Sequence, residues 1–320
     1  MVNPINWYER RQKPKENDIK ALETHQLIAD LLCQSGSNST LQRKLPTIRQ
    51  MLDRCDLQHI NDIVYRGLSI AYHCKNPTQL LDAVVKLNQQ GYFECTELML
   101  KMLVEVFYIA RYKGPMYTDK DFYPKFAFFL ARLQHTGHFR YVSRRLNEEI
   151  SDIINKLPRN LNYLLFRSHF CLLNEYHKEY MYLSVYGDSV SYHIWTWFNK
   201  WFIDDSGYFR GELDRDHKTS AFVVRLWDAK YKDPVYMKPN SKNVNAWNLY
   251  CEPPNVVWHI EFVDHDRVAL SQGDYILCAT ENKFDNLNRW VRGYPKSTYT
   301  AKNKECQWLL GACNQYRTRK

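Results

Sequence analysis

Tryptophan is confined almost entirely to one half of this chain. Of nine tryptophans only Trp7 precedes residue 190; Trp195, Trp197, Trp201, Trp227, Trp247, Trp258, Trp290 and Trp308 follow it. Indole is the largest apolar body a core must enclose, and it needs several surrounding elements to do so. The second half therefore folds around aromatics, and the first half is built of other material.

The texture of the sequence changes at Pro158. Before it, apolar residues recur three and four apart, the spacing of amphipathic helices. Leu27, Ile28, Leu31 and Leu32 form one such stripe, and Leu41, Leu45, Ile48, Met51 and Leu52 another. Ile60, Ile63, Val64, Leu68 and Ile70 form a third. Asn76-Pro77-Thr78 caps a fourth helix, with proline in its first turn. Residues 93–111 are apolar on nearly all sides. Thr118 to Asp121 precede a Phe-rich helix, and a last one is expected from about Phe139 to Leu157. After Pro158 the period of 3.6 vanishes. Short runs rich in Tyr, Trp, Val and Phe alternate with turn residues, which is a strand signal.

These runs repeat. Tyr182 to Tyr236 is 54 residues and Tyr236 to Tyr275 is 39. Trp197 to Trp247 is 50, Trp247 to Trp290 is 43, and Trp258 to Trp308 is 50. Three units, each too small to bury its own aromatics, can close around a shared core, and closure removes free sheet edges.

Composition narrows the classes. The 320 residues suffice for two domains, and 45% hydrophobic with 25% charged residues excludes a wholly disordered chain. No apolar run reaches the length of a membrane-spanning helix. The net charge of +9 favours acidic partners. With no run of five like charges, no specific nucleic-acid partner is expected. Cys33, Cys55, Cys74, Cys95, Cys171, Cys251, Cys278, Cys306 and Cys313 form no CxxC pair. No metal site and no cofactor is expected. Cys306 and Cys313 flank an apolar run and can each meet Cys251 or Cys278. Bridges would require an oxidising compartment. Met1 to Lys15 holds no apolar signal core. The expectation is a secreted protein if a signal peptide has been removed, and a cytoplasmic one otherwise.

Particular residues resemble known families. Asn174-Glu-Tyr176-His-Lys-Glu-Tyr180-Met-Tyr182-Leu183, followed by a Trp-containing strand, resembles a β-trefoil repeat, and Trp258-His-Ile260-Glu261 resembles the closing strand of one. Helices followed by a trefoil resemble the insect low-molecular-weight 30-kDa lipoproteins, the microvitellogenin-like proteins. Leu80-Leu-Asp-Ala-Val-Val-Lys-Leu-Asn88, Thr96-Glu-Leu-Met-Leu100 and Tyr186-Gly187-Asp188-Ser189 are similar to strings of that family. The resemblance implies an α + β multidomain chain, with an N-terminal all-α helical bundle and a C-terminal β-trefoil. The expected organisation is a polar tail at 1–17, a helical domain at 18–158, a trefoil at 162–314 and a basic tail at 315–320. It also implies a non-enzymatic, secreted storage, protective or carrier protein of haemolymph or egg, with a glycan or lipid as ligand. The alternative is an intracellular module whose trefoil binds actin or another protein. Ricin-type lectins share the trefoil, but their QxW signature is absent; Gln307 and Trp308 are adjacent.

No enzyme motif is present: no GxGxxG, P-loop, HExxH or GxSxG. His135 and His138 have no third ligand nearby in sequence, Asp264-His265-Asp266 reads as a turn, and Asp204 to Gly207 as a hairpin turn. Trp258 and Trp308, in apolar strands, are expected in the core. Trp247 and Trp290 keep polar company. Asp228 with Tyr231, and Asp274 with Tyr275, sit where a trefoil repeat turns from one strand to the next. These six residues are the candidate glycan site.

Overall fold

The computed structural model describes residues 76–89, 96–113, 121–185, 192–197, 207–213, 222–229, 232, 234–237, 244–246 and 257–313, with 29, 67–68 and 71. The first three expected helices lie largely outside these residues, as do the tails. The chain divides into two compact units, Met1–Met116 with Tyr141–Ile150, and Tyr117–Arg140 with Ser151–Lys320.

In the first unit, α1 (Pro77–Gln89) and α2 (Thr96–Lys113) pack together. The start of α1 is fixed by a reciprocal cap. Asn76 Oδ1 accepts from the Gln79 backbone N–H at 2.9 Å, and Gln79 Oε1 from that of Asn76 at 3.3 Å. Two of the helix's orphan donors are thereby satisfied. Leu80, Leu81, Val84 and Leu87 form the buried stripe. Lys101 of α2 donates to Glu149 at 2.7 Å, and Glu97 Oε1 accepts from the Ser143 N–H at 2.5 Å.

In the second unit, α3 (Phe122–His135) buries ten of its residues. Its Phe128 meets Phe222 at 5.2 Å and Phe262 at 6.3 Å between ring centroids. The helix α4 (Arg144–Lys156), which belongs to the first unit up to Ile150 and to the second from Ser151, is followed at once by α5 (Arg159–Phe166), where helical structure was expected to end. Pro158 is the residue before a helix as well as after one: its ψ of 139° is extended, and its ring is tolerated there. Eight residues show too little periodicity to be read as a helix, although Leu161 and Leu164, three apart, are both buried. Asn160 of α5 donates to the Asp264 carbonyl at 2.7 Å, and its own N–H bonds to the His265 carbonyl.

The strands are β1 (Cys171–Asn174), β2 (Glu179–Val185), β3 (Tyr192–Trp197), β4 (Phe209–Leu213), β5 (Val223–Asp228) and β6 (Val235–Met237). They continue as β7 (Val244–Ala246), β8 (Trp258–Phe262), β9 (Arg267–Gln272), β10 (Tyr275–Lys283), β11 (Asn288–Pro295) and β12 (Trp308–Gly311). All pairs are antiparallel. Six strands form a ring in the order β1, β12, β9, β8, β5, β4. It is closed by Phe170 and Phe209, whose N–H and C=O groups exchange two bonds of 2.8 Å. The remaining strands make three hairpins, β2–β3, β6–β7 and β10–β11, with β3 pairing both β7 and β11. A closed six-stranded ring with three hairpins is a β-trefoil-like barrel.

The threefold relation is legible in the ladder. Phe209, Trp258 and Trp308 open β4, β8 and β12, and each has 0% exposure. The Trp258 indole N–H donates to the Val235 carbonyl at 2.7 Å and that of Trp308 to Leu277 at 3.0 Å. Val235 and Leu277 are matching positions of β6 and β10. Both tryptophans are core, as expected, and each satisfies its polar edge within the barrel. Two disulfides join described residues. Cys278–Cys306 is one of the pairings the sequence left open, whereas Cys313 bonds Cys171. That second bridge ties the end of β12 to the start of β1, its ladder neighbour.

Candidate functional site

Each repeat turns from its first to its second strand, and there the sequence placed four of its six candidates. The three turns begin at matching residues, Asn174, Asp228 and Gln272, which close β1, β5 and β9. Two of them staple neighbouring repeats. Asn174 Nδ2 donates to the Gln307 carbonyl at 3.3 Å, and Gln272 Nε2 donates to the Val257 carbonyl at 3.3 Å. Gln307 and Val257 each precede the tryptophan that opens the next ring strand. Gln272 Oε1 also accepts from the Met237 N–H at 2.8 Å. Asp228, in the same position, is 1% exposed, out of reach of a solute. Tyr231 lies outside the described residues.

The turns differ in length. Four residues separate Asn174 from its ladder partner Glu179, but only Gly273 and Asp274 separate Gln272 from Tyr275. Gly273 takes a φ of +55°, as a two-residue hairpin with glycine first requires. Lys178 and Lys232 hold φ of 57° and 61° at the ends of the first and second turns. The short turn shifts the register: Tyr182 and Tyr236 match, but their counterpart in the third repeat is Cys278, not Tyr275. Trp290 is likewise not the counterpart of Trp197.

Asp274 and Tyr275 are both exposed, Tyr275 at 40%. Among the described residues neither side chain has a hydrogen-bond, ion-pair or ring partner; the Asp274 carbonyl accepts from the Lys296 N–H at 2.8 Å. Gly293 lies beside the tyrosine on β11, where an added Cβ would stand 3.3 Å from the Tyr275 Cβ. The Met237 thioether fills that space, its sulfur 2.6 Å from the same added Cβ.

Trp290 sits elsewhere. Tyr275 pairs with Pro295 at the far end of β11, five residues away, or about 17 Å along a strand. Trp290 stands opposite Trp195 across the β11–β3 ladder, ring centroids 4.3 Å apart, and meets Phe284 edge-on at 5.1 Å. The Arg292 guanidinium lies 4.7 Å from its ring centroid. The indole is thus packed by three neighbours. Trp247 lies outside the described residues, so the structure brings Asp274 and Tyr275 together and separates Trp290 from them.

A buried polar group escaped the sequence reading. Glu179 of β2 and Arg289 of β11, with side chains 4% and 9% exposed, pair at 2.8 Å. Thr196 Oγ1 donates to the same carboxylate at 2.7 Å, and Arg289 also donates to the Thr280 and Glu281 carbonyls. The ring of His177 is beside this pair. Burial, then the Arg289 charge, hold its pKa below 6.5 against the opposing pull of Glu179 and Glu281. The local sequence carries no signal for the pair: Glu179 follows His177 and Lys178, and Arg289 follows Asp285 to Asn288, so both read as polar strand ends.

No protein-family model matches the chain, and no curated protein does. Solved structures do. A designed threefold symmetric protein, ThreeFoil, aligns at 14% identity over 44% of this chain and 96% of its own, with a TM-score of 0.35. A Culex salivary protein of the cysteine and tryptophan-rich family aligns at 12% identity over 46% and 94%, with a TM-score of 0.35. A ricin B-like lectin of Macrolepiota procera, solved with lactose, aligns at 12% identity over 45% and 95%, with a TM-score of 0.34.

Proposed function

We propose that the chain is a secreted, non-enzymatic protein whose C-terminal half is a β-trefoil that binds a saccharide at the turn of its third repeat. The observation that carries this reading is the exposed pair Asp274, in a two-residue turn, and Tyr275, the strand residue that follows it, both unengaged by any described side chain. A phenol ring offers a flat apolar face to the C–H side of a sugar, and its hydroxyl donates and accepts. A carboxylate beside it accepts from two sugar hydroxyls at once. Gly273 and the Gln272 staple hold both on a rigid turn, which reduces the ordering cost of binding. The two disulfides support an oxidising compartment, and hence secretion. The storage or carriage in haemolymph or egg implied by the insect resemblance draws no support from the family models or the curated proteins.

The test is a glycan array probed with the full-length, disulfide-intact protein. A bound neutral saccharide is expected, with affinity falling at least about tenfold in Tyr275→Ala and Asp274→Asn, the order expected when buried hydrogen-bonding groups lose partners. Silence across the array, or binding indifferent to both substitutions, overturns the reading. Mapping thiols in the protein from its native source tests secretion: reduced Cys171, Cys278, Cys306 and Cys313 would favour the cytoplasmic alternative.

A further inference from the structure

Arg292 shares one face of β11 with Trp290 and Tyr294. All three are half-buried. Its guanidinium stacks on the Trp290 ring at 4.7 Å. Among the described residues no carboxylate pairs with it, and its Nε–H, shielded from water, has no acceptor. Two other arginines of the barrel do have carboxylate partners: Arg289 has Glu179, and Arg267 has Asp264 at 2.5 Å. A desolvated guanidinium donor without an acceptor is costly to maintain. Stacking uses only the flat face and leaves the in-plane terminal N–H groups, beyond the shielded Nε, for an oxyanion. Phe284, 40% exposed and in edge contact with Trp290, supplies an apolar surface beside it.

We propose that the Trp290–Arg292 edge of the β10–β11 hairpin binds an acidic saccharide, its sulfate or carboxylate taken by the terminal N–H groups of Arg292 and its ring resting against Phe284. The site is separate from the Tyr275 turn. Tyr275 shares the strand face of Leu277 and Gly293, whereas Arg292 stands on the alternate face, opposite Cys278. The chain's net charge of +9 speeds the encounter with such a ligand without specifying it.

The experiment titrates full-length protein with a heparin-derived hexasaccharide, with inorganic sulfate and with a neutral oligosaccharide, following tryptophan fluorescence and heat. The sulfated hexasaccharide is expected to bind, and inorganic sulfate only weakly. Arg292→Gln should weaken hexasaccharide binding at least about tenfold, and Arg292→Lys, which keeps the charge and loses the fork, by an intermediate factor. Lys302→Gln, removing an exposed charge on a neighbouring loop, should change it less than about twofold. Tyr275→Ala should leave it unchanged, so a failure of the neutral-saccharide site does not affect this one. The proposal is overturned if the wild type ignores the hexasaccharide, if Arg292→Gln binds as well as wild type, or if Lys302→Gln loses as much as Arg292→Gln. That last result would mean diffuse attraction to the basic surface. If Arg292→Gln does not fold, Arg292→Lys carries the same decision.

Discussion

The first and third repeats enter their second strand through chemically similar pairs, Glu179-Tyr180 and Asp274-Tyr275, and the barrel treats them oppositely. In the first repeat the four-residue turn carries Glu179 inward to Arg289, and Tyr180 is 6% exposed. Tyr180 packs in a cluster with Cys171, Tyr182 and Trp195, beside the Cys171–Cys313 bridge. In the third repeat the turn is two residues shorter, so the acid falls in the turn itself and the tyrosine opens the strand in solvent. Turn length, not residue type, decides whether an acid–tyrosine pair serves stability or is left free for recognition.

The largest expected effect removes what fastens the first repeat. Cys171 and Cys313 lie 142 residues apart, so their bridge closes nearly the whole barrel and stabilises it by about 4–5 kcal/mol on the chain-entropy account. Cys171→Ser with Cys313→Ser should lower stability by that amount in chemical denaturation. The shorter Cys278–Cys306 loop, 28 residues, should contribute about 3–4 kcal/mol. Equal losses from the two pairs would contradict the closure argument.

Next comes the buried ion pair. Glu179→Ala leaves the Arg289 charge in the interior and should cost about 3–5 kcal/mol, while Glu179→Leu with Arg289→Met should recover most of it. The matching experiment in the third repeat, Asp274→Asn, should change stability by less than about 0.5 kcal/mol. Similar costs at the two acids would remove the contrast between the repeats. The burial of His177 beside the Glu179–Arg289 pair sets a pH dependence. Because the His177 pKa is lowered in the folded protein, the unfolded chain binds the extra proton first. Stability should therefore fall as pH drops through 6.5 and level off below the folded value. His177→Gln should flatten thermal unfolding temperature against pH over that window.

Much of the ring was legible in the sequence, and the reasons for the misses are local. Trp258 and Trp308 announced their burial by sitting in apolar runs 50 residues apart, and Tyr182 and Tyr236 their equivalence by the same logic. Tyr275 was matched to them wrongly because spacing alone does not reveal that a turn has lost two residues; only the ladder does. The Glu179–Arg289 pair joins residues 110 apart, a distance over which periodicity carries no information. The burial of Asp228 was hidden for a related reason: an aspartate at a strand end reads as a turn former, and the staple made by Asn174 and Gln272 at the matching positions appears only when neighbouring repeats meet. Asp274 and Tyr275 were singled out by the resemblance to a trefoil repeat, as residues at the turn from one strand to the next, and the ladder does put Asp274 in that turn with Tyr275 opening the strand after it.

The smallest effect tests the turn itself. Gly273 and Lys178 both sit at positive φ, at 55° and 57°, but only glycine is unstrained there. An added Cβ at Gly273 meets nothing within 4 Å, so Gly273→Ala isolates backbone strain from steric clash. It should cost about 1–2 kcal/mol, and by loosening the turn it should weaken saccharide binding at Tyr275 without touching the ring. Lys178→Gly makes the reverse change in the first repeat. It should relieve strain while giving the unfolded chain more freedom, for a net change within about 1 kcal/mol, and it should leave saccharide binding as it was. If Lys178→Gly altered binding as much as Gly273→Ala, recognition would not reside in the third turn, and the division of labour between the two repeats would be lost.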